Sequence, residues 1–420
     1  MRIFALDYEP ASNRGGQELS LVDECVGLAA RGHDVTLGYV LPGNLLARYE
    51  AAGVMTLRLS EIEMRPRARL RTAASAARSA MRAAATRPDV VCVNQYHDTL
   101  FGGAVAALAR APLVCHLRIV PPGGMCTQWR LGLPNVTRFI AASRTIADSW
   151  VALRGCDPST IDVAHDGLDM DVYRPRPEDR AAVRAEIGVP DDAFLVLSAG
   201  RLDESKNLEG LLDAFALLRR DTPNAFLAIA GRPVSHASPE AGQAYADGLR
   251  AHAVSLGVAD RVRWLGPRGD VPRLLSAADA SALFSHFEAL GRATFESLAC
   301  GTPVVAPRNG GSVEILTGEF ARWLFEPGHT QDAAALLASL VGWQDRDPAL
   351  ATRARRHAVE HFSISAKVDA VERSLARAVA IGPGRNGPRG EPLRRTFDED
   401  AIARAAPTGA PLAGAPGVAA

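Results

Sequence analysis

Apolar runs of strand length alternate with helix-patterned segments along most of the chain, and this alternation limits the possible folds more than any other feature. In the first half the runs are RIFALD, HDVTLGYV, GVMTLRL, DVVCVN, PLVCHLRI, TRFIAA and IDVAH. Strands separated by helices predict an α/β protein built on parallel sheets with helices on both faces. In such sheets ligands bind beyond the carboxyl ends of the strands, so the loops after strands are where chemistry is expected. At 420 residues the chain has length for two or three domains, each with its own core. A Pro- and charge-rich stretch from Arg174 to Asp192 reads as the linker into the second of them.

The second half continues the pattern with FLVLSA, AFLAIAG and RVRWLG, followed by a run from Ala280 to Phe284 that delivers Glu288 into a turn. Gly291 then opens an apolar helix carrying Glu296, and TPVV starts the next strand. Two carboxylates therefore flank a helix N-terminus, whose exposed N–H groups around Gly291, Arg292 and Ala293 attract a phosphate. Glu288 is placed to accept hydrogen bonds from one half of a ligand and Glu296 from the other. Sugar hydroxyls, a diphosphate and ribose hydroxyls have that layout. Arg201 and Lys206 lie between FLVLSA and a helix with Leu208, Leu211, Leu212 and Phe215 at helical spacing. Arginine forks two phosphate oxygens, whereas lysine supplies a compact point charge. Near the amino terminus, EPASNRGGQE sets Gly15 and Gly16 before a helix expected over Gln17–Arg31 and stopped by Gly32.

Glu-x7-Glu between Leu290-Gly291 and CGTPVVAPRNGG closely resembles the donor site of the retaining family-four glycosyltransferases. GGQE followed by LAARGHDVTL, Arg-x4-Lys from Arg201, and IDVAHDGLDMDVYRP between the halves resemble further motifs of that family. The resemblance covers about residues 2 to 380. It implies a GT-B fold, two Rossmann-like parallel-sheet domains facing each other across a cleft. The domains implied are an acceptor-side one over 1–175, a nucleotide-sugar domain over 176–363, and a last helix, about 364–381, returning to the first. It also implies transfer of a glycosyl group from a nucleotide diphosphate sugar to an acceptor hydroxyl, with retention and with neither metal nor cofactor. By the same resemblance the Gly16 amide lies beside the β-phosphate, with Gly15 next to it. Arg201 and Lys206 clamp the diphosphate, and Glu288 holds the sugar hydroxyls and faces developing positive charge. Glu296 grips the ribose diol, Leu290, Gly291 and Arg292 line the turn, and Gly231 borders the base pocket.

Two departures from the family pattern bear on the acceptor side. Where relatives place a histidine six residues after the proline opening PLVCHLRI, this chain has Arg118, with His116 two residues earlier on the same strand face. Arginine is a poor base, but it suits an anionic acceptor or a departing diphosphate. His116 and His97 each read either as a polar group facing the cleft or as a satisfied core histidine. In the interdomain signature Asp166 stands where asparagine is usual. Asp169 and Asp171 there read as capping and turn residues rather than as a metal-binding D-x-D, and Ser143 as an N-cap for a helix from Arg144.

Lys plus Arg and Asp plus Glu both total 47, so no bulk field calls for nucleic acid or a membrane. Arginine carries nearly all the positive charge, the only lysines being Lys206 and Lys367, and Lys367 falls in an unremarkable helical pattern. An alanine-rich pattern from Arg65 to Arg87 holds Arg65, Arg67, Arg69, Arg71, Arg78, Arg82 and Arg87 with no acid between. It reads as a solvated helix face or as a surface for anionic headgroups, which would put the protein on the inner face of a membrane with a lipid-linked acceptor. Six cysteines without C-x-x-C spacing, several inside apolar runs, read as buried thiols of a reducing compartment. MRIFALDYEP reads as a first strand rather than a signal peptide, and no apolar run approaches the roughly 20 residues of a membrane span. A cytoplasmic protein is the expectation. From Gly382 onward a Pro, Gly and Ala bias predicts a disordered tail.

Rival readings make different demands. A nicotinamide-dependent oxidoreductase requires G-x-G-x-x-G after a strand with an acid about 20 residues on, and no such run follows a strand. A non-hydrolysing nucleotide-sugar epimerase shares the fold but is not expected to carry GGQE, Arg-x4-Lys and Glu-x7-Glu together. A catalytically silent relative serving as scaffold or binding subunit would keep the fold, and Arg118 keeps that alternative open.

Overall fold

A computed structural model describes residues 1–12, 16–62, 69–124, 126–235, 237–384 and 386–387, leaving aside the side chains of 69 and 70. It divides into two compact units, one of Met1–Gly167 joined by the chain from Ile364, the other of Leu168–Ser363.

The first unit holds a seven-stranded sheet made of β1 (Arg2–Leu6), β2 (Asp34–Tyr39), β3 (Met55–Arg58), β4 (Val90–Val93), β5 (Leu113–Leu117), β6 (Arg138–Ala141) and β7 (Ile161–Val163). Their order is β3-β2-β1-β4-β5-β6-β7, and every neighbouring pair is parallel. All seven apolar runs of the first half thus became strands. β1, β4 and β5 are buried along nearly their whole length, because helices cover both faces of a parallel sheet. The helix Gly16–Ala30 ends just before Gly32, which takes φ 82°. The helix Arg144–Arg154 begins where the Ser143 hydroxyl accepts from the Ile146 amide at 3.1 Å.

The last helix, Ile364–Ile381, lays Val368, Val371, Leu375 and Ala378 against Leu21, Cys25 and Leu28 of the first. The two helices touch closely at Gly27, where a Cβ would come within 2.4 Å of the Val368 side chain. Beyond that helix, Gly384 donates to the Thr137 hydroxyl at 3.2 Å and Asn386 to the Val136 carbonyl at 2.9 Å. These backbone groups beyond Gly382 thus find partners on the approach to β6. The remainder of the tail, from 388, lies outside the described residues.

The second unit holds a six-stranded parallel sheet of β8 (Phe194–Ala199), β9 (Ala225–Ala230), β10 (Val262–Gly266), β11 (Ala280–Ala282), β12 (Val304–Pro307) and β13 (Leu324–Phe325). Its order is β10-β9-β8-β11-β12-β13. Both sheets reverse direction beside their first strand, at β1/β4 and at β8/β11. This is the doubly wound arrangement, in which the chain leaves opposite sides of a central strand and opens a crevice at that strand's carboxyl end. Lys206 and Glu288 follow β8 and β11. Asn94 and Arg118 follow β4 and β5.

Candidate functional site

In the second unit the structure joins two of the expected residues directly. Lys206 closes a short 3-10 turn after β8, and its Nζ donates to Glu288 Oε1 at 2.5 Å across 82 residues of sequence. Both side chains remain part-exposed, at 20% and 17%. Ser285 supports the same oxygen with a hydrogen bond of 2.7 Å. An acid and a compact cation therefore sit together at the switch point of this sheet, next to a helix N-terminus. That helix, Arg292–Ala299, starts at Gly291 with φ 92°, a conformation only glycine takes without strain. Glu296 lies one turn in, bonded to Arg292 Nε at 3.3 Å, and lines a small hollow with Leu283 and Ala293.

Arg201 is not drawn into the Lys206–Glu288 pair. Its side chain is 46% exposed and its guanidinium rests on Asp203 at 3.2 Å. Gly231 lies where the loops after β8 and β9 meet backbone to backbone, and a Cβ there would fall 1.7 Å from the Gly200 carbonyl oxygen. Sequence reasoning missed the residues that shape the turn around Glu288 and Leu290. The Gly311 amide donates to the Glu288 carbonyl at 3.0 Å, and Asn309 Nδ2 to the His286 carbonyl at 2.8 Å. A Cβ on Gly310 would meet that same Glu288 oxygen at 2.1 Å. The doubled glycine of PRNGG was the available signal, since it permits an approach no side chain would allow.

In the first unit the polar groups at the ends of β4 and β5 are bound into one buried network. His116 is 3% exposed and its Nε2 pairs with Glu24 Oε1 at 3.0 Å, so the core-histidine reading describes its surroundings. Arg118 donates from Nε to Asn94 Oδ1 at 2.7 Å and from Nη1 to the Ser20 hydroxyl at 2.6 Å. Its Nη2 lies 3.8 Å from Glu24 Oε2. Lys367 is 4% exposed and its Nζ reaches Ser20 Oγ at 2.6 Å and Asp166 Oδ1 at 2.8 Å. The expectation that Lys367 belongs to an unremarkable helix is thus corrected: it is the buried counter-ion of Asp166. Burial acts against the Glu24 carboxylate, but His116, Lys367 and Arg118 together hold its pKa below the usual range.

Glu24, Cys92 and His116 each place a ligand-type atom within 4.8 Å of the others. The Arg118 guanidinium beside Glu24 opposes a second cation there. The Asp169 carboxylate accepts from the Asp171 amide at 2.9 Å, which is the expected turn role. Gly16 begins its helix, while Gly15, Arg65 and Arg67 lie outside the described residues. The helix Arg69–Ala84 and its end expose Arg71, Arg78, Arg82 and Arg87, with Met81 at 55%. No helix among the described residues is long and apolar enough to cross a membrane.

His97 lines a polar hollow with Asp7, Glu18, Asn94 and Gln95 at the β1/β4 switch point. Its Nδ1 shares a hydrogen bond of 2.9 Å with Gln95 Oε1, and its ring packs on Tyr96 and Trp129. Burial pushes its pKa down to about 4. An unfolded histidine titrates near 6.5, so between these values only the unfolded chain takes up the proton. Stability is expected to be full above pH 6.5, to fall as the pH drops toward 4, and to lose nothing more to His97 below that. Denaturant midpoints against pH check this: His97→Gln should flatten the slope in that window, and an unchanged slope would assign the loss elsewhere.

Two family matches run in tandem along this framework. Residues 14–172 match the model for Glycosyltransferase Family 4, and residues 179–357 the model for Glycosyl transferases group 1. The crystal structure of Anabaena Alr3699/HepE in complex with UDP superposes with a TM-score of 0.76 at 25% identity, covering 90% of this chain and 100% of that one. The chain has the GT-B glycosyltransferase fold.

The same Anabaena protein in complex with UDP-glucose superposes with a TM-score of 0.74 over the same shares of both chains. Among curated proteins, the D-inositol 3-phosphate glycosyltransferase of Mycolicibacterium smegmatis is 35% identical over 245 residues, 58% of this chain and 53% of that protein. The one from Rhodococcus jostii is 37% identical over 266 residues, 60% of this chain and 56% of that protein. The GT-B chain thus spans about half the length of these curated relatives. Within this fold Lys206, Glu288, Gly291 and Glu296 gather around one sheet end. Gly16, His116 and Arg118 belong to the other unit.

Proposed function

We propose that the chain is a retaining, metal-independent glycosyltransferase that moves a sugar from a nucleotide diphosphate sugar to an acceptor hydroxyl. The observation that carries this reading is the Lys206–Glu288 pair at the β8/β11 switch point, beside the helix opened by Gly291. A diphosphate leaving from an anomeric carbon gains negative charge. Lys206, Arg201 and the N-terminal amides of Arg292–Ala299 are the positive groups available to meet it. Once Lys206 turns to phosphate, Glu288 is released to accept from the sugar's hydroxyls, with Ser285 holding its carboxylate in place. Glu296 accepts from the ribose diol. Retention follows if the departing phosphate oxygen takes the acceptor's proton on the same face, a route that needs no protein base. The complexes of the Anabaena relative with UDP and UDP-glucose support a uridine diphosphate donor.

Thermal unfolding of the full chain against a panel of nucleotide sugars, with UDP-glucose as first probe, tests the reading. A bound donor at 100 times its Kd adds about 2.7 kcal/mol of stability and raises the melting temperature. Slow release of UDP should accompany it. No shift and no release with any member of the panel would leave the silent-scaffold alternative standing.

A further inference from the structure

The buried network of the first unit contains more charge than packing alone calls for. Replacing buried ion pairs with apolar residues of similar volume is often neutral or stabilising, so stability alone does not account for such a network. Lys367 Nζ has three hydrogens and uses them on the Ser20 carbonyl at 2.5 Å, the Ser20 hydroxyl at 2.6 Å and Asp166 Oδ1 at 2.8 Å. The Ser20 hydroxyl is equally spent. It donates to Asp166 Oδ1 at 2.5 Å and accepts from Lys367 and from Arg118 Nη1, each at 2.6 Å. A serine hydroxyl normally rotates to suit its neighbours, and here both its donor direction and its lone pairs are fixed. The Arg118 guanidinium is consequently held on one edge by a locked hydroxyl and on another by Asn94 Oδ1 at 2.7 Å. Among the described residues its Nη2 has no hydrogen-bond partner, although it is buried.

We propose that Lys367 and Asp166 are positioning residues, which act through the Ser20 hydroxyl to fix the Arg118 guanidinium for the acceptor. This rests on the glycosyltransferase reading for its functional half. The orientation of Arg118 then depends on a lysine 347 residues from Ser20, supplied by the last helix of the chain. The two departures noted in the sequence, Arg118 and Asp166, are the two ends of one clamp. Their opposite charges meet through a single oxygen.

The test separates holding the fold together from aiming Arg118. Lys367→Met or Asp166→Asn alone strands a buried charge and should destabilise the chain. The double variant removes both charges and should recover a melting temperature within a few degrees of the parent. UDP-glucose binding, followed by calorimetry, should match the parent. UDP release from UDP-glucose with D-inositol 3-phosphate as the acceptor probe should stay slower in kcat by roughly 10- to 100-fold, since misplacement of about 1 Å costs that much. Adding Lys367→Met together with Asp166→Asn to Arg118→Ala should cost nothing further in kcat, because the residues act as a unit. A double variant that turns over like the parent, or an additive effect with Arg118→Ala, overturns the proposal. A second readout does not depend on turnover. The Arg118 Nε–H resonance should exchange with solvent at least tenfold faster in the stable double variant, and unchanged exchange also overturns it. If the parent binds no nucleotide sugar, the functional reading fails while the exchange measurement still decides the clamp.

Discussion

On the proposed glycosyltransferase activity, replacing Lys206 with alanine is expected to slow UDP release from UDP-glucose by roughly two to three orders of magnitude, since a preorganised donor aimed at developing charge is typically worth about 3–4 kcal/mol. The fold should hardly notice. The Lys206–Glu288 pair is part-exposed, and such pairs contribute at most about 1 kcal/mol to stability. Lys206→Arg should restore only part of the rate. Its planar fork needs two oxygens at set angles, and it cannot occupy the compact position 2.5 Å from Glu288 Oε1 that the ammonium holds. Glu288→Ala should lower the rate as well. The double variant should be slower than either single, because in the loaded site Lys206 meets phosphate and Glu288 meets the sugar hydroxyls. Steady-state UDP release and a melting curve on each variant check this. A Lys206→Ala variant within threefold of the parent would mean the cation does not meet the leaving group.

What was legible in the sequence follows from what local pattern can encode. Every apolar run marked as a strand became one, and the central ones, β1, β4 and β5, are buried on both faces and so leave an unbroken apolar signature. Loops after strands could be picked out for the same reason, and they carry Lys206, Glu288 and Gly291. The same double burial explains what was hidden. On a half-exposed strand alternation separates inward from outward residues, but both faces of β5 are covered. Nothing local therefore told whether His116 or Arg118 met solvent. Pairings across long separations were also invisible: Lys206 to Glu288 across 82 residues and Lys367 to Asp166 across 201. A helical pattern shows that a lysine lies on a helix, not that the helix lays it against a buried serine. Arg201 illustrates the reverse. Its motif marked it correctly as a loop cation, and Asp203, two residues away, decides where the guanidinium rests.

Asp279→Ala is expected to be the most damaging single change in the second unit, costing about 3–5 kcal/mol, the range for leaving a buried charge without its partner. Asp279 is 4% exposed and immediately precedes β11, the strand that leads to Glu288. Its Oδ2 accepts from Arg184 Nη2 and from the Leu195 amide, each at 2.7 Å. Its Oδ1 accepts from Arg180 at 2.6 Å and from Gln344 at 2.7 Å. Arg184 is fully buried, and desolvation pushes its pKa down even with Asp279 beside it. Removing the carboxylate leaves that guanidinium bonded only to backbone carbonyls, among them Ala277 at 3.0 Å and Ala193 at 2.8 Å. Its charge then has no counter-ion in a low-dielectric surround. The Leu195 amide at the start of β8 loses its acceptor at the same time, so both strands of the switch point loosen together. Asp279→Asn keeps the shape but removes the charge, and should recover only part of the loss, because an amide turns a donor toward one of the groups that now donate to it. Introducing Arg184→Met beside Asp279→Ala should return stability toward the parent, since the stranded charge goes with its partner. Urea midpoints for the parent, both single variants and the pair decide it. If the pair is as unstable as the sum of its parts, packing around Asp279 and not its charge is what holds β8 and β11 in place.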